Sequence, residues 1–401
     1  MISCSVTIAE ARQTGYLGSM IEILHPALLP PGLRDVLPPD AQIEADVVHR
    51  LTAILASQGY ERVVPPLFEF ETSLLGGNGG AMGSDTFRLM DPISQRMIGL
   101  RADMTLQIAR IATTRLTKSP RPLRLSYSGE VLRVSGSQLR QQRQFSQVGA
   151  ELIGASAPTA DAEVIILAAD ALLRLGVSGL SVDLTMPVLV PVILRQLGVD
   201  DAMAASAREA LDHKDAASIA ALGGETAQIL GRLMHSAGPA DGCMARLANL
   251  ALPDDAAAEL ERLRTVVALV QNALPNLSVT IDPVENRGFE YHTGVSFSLF
   301  ARGIRGELGR GGRYLAQSGE QPEPATGFTL YMDTVIHAVP APPAMPRLFL
   351  PLGTAREAAA DYQAQGFATV SGLEMVADLR TEALRLNCTH LLLDGTVINL
   401  T

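Results

Sequence analysis

The sequence lacks the cysteine pattern, the long apolar runs and the signal segment that define several classes of protein. Its three cysteines, Cys4, Cys243 and Cys388, are far apart and have no ligand-like spacing. They predict free thiols in a reducing compartment and no zinc site. No apolar run approaches the roughly 20 residues that span a bilayer, and no basic start leads into an apolar segment near the N-terminus. We therefore expect a cytoplasmic protein without membrane association, metal or cofactor.

Positive charge is also scarce. The 401 residues include 32 Lys and Arg against 42 Asp and Glu, a formal net charge of −10 at pH 7. This balance argues against a broad surface for nucleic acid, although it leaves room for one local basic groove. A hydrophobic content of 47% with 18% charged residues is typical of globular proteins with large apolar cores. The length exceeds one ordinary core, so two or three units are expected.

The order of predicted elements divides the chain into three parts. Residues 1–30 are expected to form a loose N-terminal extension, with Met20 as an alternative start. Residues 31–338 combine strands and helices, and the Ala/Leu-rich, strand-poor stretch at about 187–275 predicts an inserted helical subdomain. A proline-rich linker leads to residues 347–401, where strands and helices alternate in a small α/β unit. The predicted fold class is therefore α+β.

The most informative stretch is residues 286–294, with the sequence NRGFEYHTG, which precedes a strand-like run. Arg287 suits a carboxylate, Glu290 suits a cation, and glycine lets the backbone approach a ligand closely. This mixture favours a small zwitterion. A buried Arg–Glu pair beside a strand is often structural, so the stretch by itself leaves both interpretations open.

Two further clusters place polar side chains where a pocket can form. Asp103 lies at a strand-to-helix turn, where it suits an α-ammonium group or acts as an N-terminal helix charge. Gln147 and Glu151 are four residues apart on a predicted strand and therefore share one face of its sheet. Arg133 ends the preceding strand. These groups predict a pocket floor, with a solvated sheet face as the alternative.

Several local elements are predicted from proline and glycine. Asp40 is expected to cap a helix over residues 41–57, and residues 61–69 are expected to form a strand interrupted by two prolines. The GGNGG stretch at 76–80 lacks the Lys-Ser/Thr of a phosphate loop, which favours a mobile loop. The GRGGRY stretch at 309–314 predicts a glycine-rich turn, whose two arginines suit a partner or an anionic effector.

The joint order of the motifs resembles the catalytic domain of the histidyl-tRNA synthetases, a family of class II aminoacyl-tRNA synthetases. The resemblance covers roughly residues 30–338 and rests on the segments 32–35 (GLRD), 66–69 (PLFE), 100–105 (LRADMT), 132–133 (LR), 144–151 (QFSQVGAE), 287–291 (RGFEY) and 311–314 (GGRY). It implies an antiparallel sheet flanked by helices, in a protein that dimerises. The strand at Pro66 would lie at the dimer interface.

The resemblance also implies a histidine pocket. Asp103 matches the acid that takes the α-ammonium group of histidine, and Thr105 and Gln147 match further contacts to that group. Glu151 matches the acid that reads the imidazole ring.

The remaining pocket residues match the family less evenly. Arg287 matches the arginine near the histidine carboxylate and the reacting phosphate, and Tyr291 matches the first tyrosine of a tandem pair. His292 replaces the second tyrosine, which in the family helps to hold the imidazole. By resemblance, the expected histidine-binding residues are Asp103, Thr105, Arg133, Gln147, Glu151, Arg287, Tyr291 and His292.

The ATP-binding residues of the family do not carry over. Arg133 stands where the family arginine holds the α-phosphate, but Ser135 replaces the acid that recognises adenine. Tyr331, Asp333 and Thr334 occupy the glycine-rich helix start and its Glu-Arg pair. Threonine supplies no bidentate cationic clamp, and tyrosine adds bulk where glycine admits ATP. Because phosphoryl chemistry depends on positioning and charge neutralisation, adenylation should be crippled.

A family of synthetase paralogues shares this pattern: the regulatory subunits of ATP phosphoribosyltransferase, the first enzyme of histidine biosynthesis. The RADMT version of residues 101–105 and the short C-terminal unit are similar to that family. The resemblance implies a non-catalytic subunit that binds histidine, dimerises, and confers feedback inhibition and activation on a short-form catalytic subunit, with no tRNA. Two alternatives stand beside it. One is a divergent active histidyl-tRNA synthetase, and the other is a scaffold in which Asp103, Glu151 and Arg287 form only a buried ionic network.

Overall fold

The structure is a computed structural model that describes residues 28–76, 82–136, 140–285, 291–317 and 322–400. The predictions for residues 1–27, for most of the GGNGG stretch and for Arg287 and Glu290 lie outside these residues. The chain divides into two compact units, with the boundary between Val339 and Pro340. None of the helices among the described residues is long and apolar enough to cross a membrane.

The first unit combines helices and strands along its whole described length. Its helices are α1 (Asp40–Ser57), α2 (Glu71–Leu74), α3 (Thr105–Thr114), α4 (Pro158–Arg174), α5 (Leu189–Gln196), α6 (Asp201–Asp212), α7 (Ala216–Ala221), α8 (Gly224–Ser236), α9 (Ala240–Leu247), α10 (Asp254–Ala273) and α11 (Met332–Ala338). Its strands are β1 (Glu61–Arg62), β2 (Phe68–Phe70), β3 (Arg88–Met90), β4 (Met97–Leu100), β5 (Leu123–Leu132), β6 (Gln144–Ile153), β7 (Leu180–Thr185), β8 (Gly238–Pro239), β9 (Ser278–Asp282), β10 (Ser296–Ala301), β11 (Gly309–Ala316) and β12 (Glu323–Tyr331).

A nine-stranded sheet in the order β1-β5-β6-β12-β11-β10-β7-β9-β8 forms the centre of this unit. The strands from β5 to β7 in that order all pair antiparallel. Parallel pairs, β1 with β5 and β7 with β9, extend the sheet on either side. The predicted α+β class, an antiparallel sheet flanked by helices, is therefore confirmed, with parallel pairing added toward its edges. A smaller sheet has the order β2-β4-β3.

Apolar side chains cover both faces of the large sheet. On one face, α4 and α10 bury residues spaced three or four apart, such as Ile165, Ala168 and Leu172 on α4 and Val266 and Val270 on α10. Helices α5 to α9 contribute to this same core, so the strand-poor stretch packs directly against the sheet. On the other face, α3 packs through Met104 and Ile108 with side chains of β5, β6, β11 and β12.

Three local predictions are wrong, each for a physical reason. The single strand expected over residues 61–69 is instead β1 and β2 in different sheets, because the prolines between them lack an N–H to donate. Asp40 is the first residue of α1 rather than its cap, which is Pro39. The stretch expected to turn at 309–314 is strand β11, and a Cβ on Gly311 would lie 2.2 Å from the Gly327 carbonyl oxygen. These glycines let the neighbouring strands approach closely.

The second unit is a small α/β structure. A four-stranded sheet has the order β14-β13-β15-β16, and its elements are β13 (Arg347–Leu350), α12 (Arg356–Ala364), β14 (Ala368–Ser371), α13 (Leu379–Arg385), β15 (His390–Leu393) and β16 (Thr396–Asn399). Strand β13 pairs parallel with both β14 and β15, and β15 pairs antiparallel with β16. Leu348 and Phe349, which are neighbours on β13, are buried in separate apolar clusters on opposite faces of this sheet.

A buried ion pair fastens β11 to α4 in the first unit. The Arg313 Nε donates to Asp161 Oδ2 at 3.0 Å, and its Nη2 lies 2.8 Å from Oδ1 in the same ion pair. The guanidinium also donates to the carbonyl oxygens of Ala155 and Ala157. Replacing Arg313 with Met leaves Asp161 buried with Arg262 at 3.7 Å as its nearest remaining cation. We expect the free energy of unfolding, measured by urea denaturation, to fall by about 3 kcal/mol or more.

The matched control is Arg264→Met, because Arg264 pairs at 2.6 Å with Glu261 on the exposed side of α10. An exposed pair contributes roughly 0–1 kcal/mol, so this variant should unfold close to the wild type. Equal losses in the two variants would show that the Arg313–Asp161 pair does not fasten the strand to the helix.

Candidate functional site

A cavity of about 270 Å³ opens on the face of the large sheet that carries α3. Of the residues predicted from the sequence, those that line it are Asp103, Thr105, Arg133, Glu151, Tyr291 and His292. Gln147 lies behind the cavity wall and is fully buried, and Arg287 is outside the described residues. The structure therefore brings together six of the eight predicted residues around one space.

Asp103 is held in a fixed orientation at the start of α3. Its Oδ1 accepts a hydrogen bond of 2.8 Å from the backbone N–H of Thr105, and its Oδ2 accepts one of 2.9 Å from Gln147 Nε2. The Gln147 Oε1 accepts in turn from the Met104 N–H at 3.2 Å. Gln147 therefore supports Asp103 from behind. The carboxylate satisfies an N–H at the start of α3, which is the interpretation of Asp103 as a helix charge, and it also faces the cavity. Binding of an α-ammonium group by Asp103 stays a prediction.

Glu151 is buried at the floor of the cavity, with 1% of its surface exposed. Its Oε2 accepts a hydrogen bond of 3.0 Å from the Tyr314 hydroxyl, and its Oε1 lies 3.3 Å from the Tyr127 hydroxyl. Burial, together with the nearby charge of Asp103, raises the pKa of Glu151 to about 8 against the opposing effect of the Tyr314 hydrogen bond.

Tyr127 is a site residue that sequence reasoning missed. It lies on β5 opposite Gly149 of β6, and a Cβ on Gly149 would lie 2.4 Å from the Tyr127 hydroxyl oxygen. Its hydroxyl is 2.7 Å from Thr329 Oγ1 and 3.3 Å from Thr105 Oγ1, which links three strands to α3. The sequence signal that could have revealed Tyr127 is Gly149, two residues before Glu151, because a glycine leaves room for a ring on the neighbouring strand.

Glycines also shape the rest of the floor. A Cβ on Gly327 would lie 1.7 Å from Glu151 Oε2, so the carboxyl group occupies the space that any larger residue would need. Gly312 has φ +154°, and a Cβ there would lie 2.6 Å from the His292 ring. The ring of His292 lies 4.0 Å from that of Tyr291, between centroids. Aromatic rings thus form one wall of the cavity.

Two guanidinium groups of the described residues line the cavity. Arg133 donates from Nε to the Ala102 carbonyl oxygen at 3.3 Å. Arg310 pairs with Glu307 at 3.1 Å and donates to the Tyr331 hydroxyl at 3.0 Å. Of the two arginines in the GRGGRY stretch, Arg310 therefore faces the cavity and Arg313 is buried in the ion pair with Asp161.

A compact cluster lies beside α11, and one of its members, Tyr331, lines the cavity. The Arg140 guanidinium lies 3.7 Å from the centre of the Tyr331 ring and 4.8 Å from that of Phe145, and it pairs with Asp333 at 3.0 Å. Thr334 Oγ1 lies 3.4 Å from Arg140 Nη2. The residues that replace the family's ATP clamp therefore all contact the Arg140 side chain. Among the described residues, no group of three His, Cys, Asp or Glu side chains is placed to hold a metal ion.

Replacing Gly327 with Ala should displace Glu151, because the new methyl group would overlap its carboxyl group. Overpacking of this kind lowers the free energy of unfolding by roughly 1–3 kcal/mol. The control is Gly231→Ala in the interior of α8, where no atom lies within 4 Å of the added Cβ. The control should raise stability by up to about 1 kcal/mol. A Gly327→Ala variant as stable as the wild type in urea denaturation would contradict this description of the floor.

Comparisons with known proteins agree with this geometry. The family model described as histidyl-tRNA synthetase matches residues 32–335. A protein of Paramagnetospirillum magneticum named ATP phosphoribosyltransferase regulatory subunit is 57% identical over 371 residues, which are 92% of this chain and 97% of the relative. A protein of the same name from Rhodospirillum centenum is 56% identical, over 92% of this chain and 96% of its own.

A solved structure shows the same fold. It is a Bacillus halodurans protein described as an ATP phosphoribosyltransferase regulatory subunit/histidyl-tRNA synthetase, and it superposes with a TM-score of 0.76 at 24% identity. The match covers 89% of this chain and 96% of that one. From the extent and identity of these matches, the chain belongs to the ATP phosphoribosyltransferase regulatory subunit family, whose first unit has the fold of the histidyl-tRNA synthetases.

Proposed function

We propose that this protein is a non-catalytic regulatory subunit that binds histidine in the cavity between α3 and the large sheet. It transmits whether histidine occupies that cavity to the short-form catalytic subunit of ATP phosphoribosyltransferase in the cytoplasm. In this way it confers feedback inhibition and activation on the catalytic subunit. The observation that carries the proposal is the contrast between the two ends of the cavity. One end holds Asp103 and Glu151 ready for a cationic ligand, and the other is lined by the Tyr331 ring, which packs against the Arg140 guanidinium.

Histidine fits the open end group by group. Its α-ammonium is a partner for Asp103, whose orientation is already set by Thr105 and Gln147. Its imidazole ring is a partner for Glu151 at the floor, with the aromatic wall alongside. Its carboxylate suits a guanidinium, for which the described residues offer Arg133 and the family resemblance offers Arg287.

A catalytic role is opposed by the cluster beside α11. ATP would need the space of the Tyr331 ring, which is 2% exposed and lies under the Arg140 guanidinium. The start of α11 contains no arginine to bind a γ-phosphate, and its Asp333 is paired with Arg140.

The second candidate function is a divergent histidyl-tRNA synthetase, and one observation favours it. Arg133 still lines the cavity at the position where the synthetases hold the α-phosphate. This function requires ATP to enter beside histidine, which the Arg140–Tyr331 cluster opposes.

Regulation requires more than binding. By linkage, histidine inhibits the assembly only if it binds the inhibited state more tightly than the active one. Dimerisation is part of the proposal and is supported by exposed apolar side chains around the two prolines before β2: Val64 is 72% exposed, Leu67 48% and Phe68 41%. Exposed apolar residues grouped in this way are typical of protein–protein interfaces.

The first test is calorimetric titration of the purified chain with histidine. Wild-type protein should bind histidine, and Asp103→Asn should weaken binding about 30-fold or more, since removing one member of a buried charge pair costs about 2 kcal/mol at least. Asp255→Asn is the matched control, because Asp255 is exposed on α10. Unchanged affinity in Asp103→Asn would exclude this cavity as the histidine site. In the reconstituted phosphoribosyltransferase, the same variant should need correspondingly more histidine for inhibition, whereas a pure scaffold would respond as the wild type does.

The second test separates the subunit from a synthetase. We expect no histidine-dependent exchange of pyrophosphate into ATP. The Tyr331 ring lines the cavity where the synthetases admit ATP, and the Arg140–Asp333 pair holds a guanidinium against that ring. A bacterial histidyl-tRNA synthetase assayed in parallel controls for the assay itself. Exchange above background, abolished by Asp103→Asn, would establish the synthetase reading and overturn the proposal.

A further inference from the structure

The floor of the cavity holds two carboxyl groups without a matching cation. Asp103 and Glu151 both line the cavity, and in the part of the chain that the structure describes no salt bridge reaches either of them. An ionised carboxylate that is buried without a partner is strongly disfavoured. One of the two groups therefore has a strong reason to carry a proton in the empty cavity.

The surroundings select Glu151 as that group. Asp103 accepts two hydrogen bonds of 2.8 and 2.9 Å from N–H donors, which favour its ionised form. Glu151 is buried, and the donors that the described residues offer it are hydroxyl groups: Tyr314 at 3.0 Å from Oε2, Tyr127 at 3.3 Å from Oε1, and Thr105. A hydroxyl group, unlike an N–H, can also accept a hydrogen bond, so these partners suit a protonated carboxyl group as well as an ionised one.

The other charged and titratable groups around the cavity do not reverse this assignment. Asp103, from the segment before α3, adds negative charge and opposes ionisation of Glu151. Tyr291 and His292 face the cavity from the segment before β10. Among the described residues, the cations that line it are Arg310 of β11, which is paired with Glu307, and Arg133, which is bonded to the Ala102 carbonyl. Asp85 lines it as a further carboxyl group, which adds negative charge and so also opposes ionisation of Glu151. Burial raises the pKa of Glu151 to about 8, in agreement with the geometry.

We propose that Glu151 enters the complex as a neutral carboxylic acid and passes its proton to the ring of the ligand, so that the site selects amino acids whose side chain is a proton-accepting azole. The O–H bond of Glu151 breaks, an N–H bond forms on the imidazole, and a carboxylate–imidazolium pair results. The α-ammonium of the same ligand neutralises Asp103, which removes the charge that opposed this ionisation. The inference rests on the proposed binding of histidine.

The proposal predicts a proton exchange with solvent that changes sign with pH. Below about pH 6.5 the ring of free histidine and the carboxyl group of Glu151 each carry a proton before binding. The complex keeps one of these two protons, so the other is released to solvent. Above about pH 8 neither partner brings a proton, and one is taken up. With these two pKa values, roughly 0.75 proton should be released at pH 6, almost none exchanged near pH 7, and roughly 0.75 taken up at pH 8.5, where the α-amino group of free histidine takes up a further fraction as it becomes the ammonium partner of Asp103.

The experiment is calorimetric titration of the full chain with histidine at these three pH values, each in two buffers of different ionisation enthalpy. Release at pH 6 together with uptake at pH 8.5 would show that Glu151 and the bound ring together keep one proton, as the proposal requires; the basicity of the ligand ring, varied below, tests which of the two groups holds it. Uptake at all three values would show that Glu151 is ionised in the empty cavity, and release at all three would show that the complex keeps neither proton; either result overturns the inference and leaves histidine binding intact. Absence of histidine binding at every pH would overturn the proposed function as well.

A ligand of the same shape tests the selectivity. In 1,2,4-triazol-3-ylalanine the ring keeps an N–H donor but accepts a proton only in strong acid. It should bind wild-type protein at least tenfold more weakly than histidine at pH 7, and equal binding would overturn the inference. In Glu151→Gln the preference for histidine over the triazole should shrink severalfold. Glu261→Gln, on the exposed side of α10, should preserve the full preference.

Discussion

A carboxyl group buried in the middle of a sheet is the constraint on which the first unit depends. Glu151 of β6 lies among β5, β11 and β12. Tyr127 of β5 and Tyr314 of β11 provide hydroxyl groups for its carboxyl group. Gly327 of β12 leaves space for that carboxyl group, and Gly149 of β6 leaves space for the Tyr127 ring. Because strand neighbours share a register, each of these residues must stand opposite its partner, so the position of one strand determines the others.

This constraint explains what could be read from the sequence. The spacing of Gln147 and Glu151 correctly predicts that both lie on one strand, and the position of Asp103 correctly predicts a carboxylate at the start of a helix. These features depend on periodicity and helix termini, which are local. The central antiparallel sheet also follows from the order of the motifs.

What the sequence did not reveal depends on contacts between distant segments. The glycines of β11 favour a turn when read locally, yet they are strand residues because β10 and β12 lie close on both sides. Tyr127 is an ordinary strand residue until its neighbour at Gly149 is known. The role of Arg140, which joins the segment after β5 to α11, has no local signal, because its partners Tyr331 and Asp333 follow almost two hundred residues later.

The Arg140 cluster makes its residues depend on one another. Tyr331 presents its ring to the Arg140 guanidinium, and Asp333 neutralises it. Glycine at position 331 would remove the ring under a largely buried guanidinium, and arginine in place of Asp333 or Thr334 would add a second cation beside it. Each of these substitutions is unfavourable by itself, so several would have to be made together to open a nucleotide site at the start of this helix.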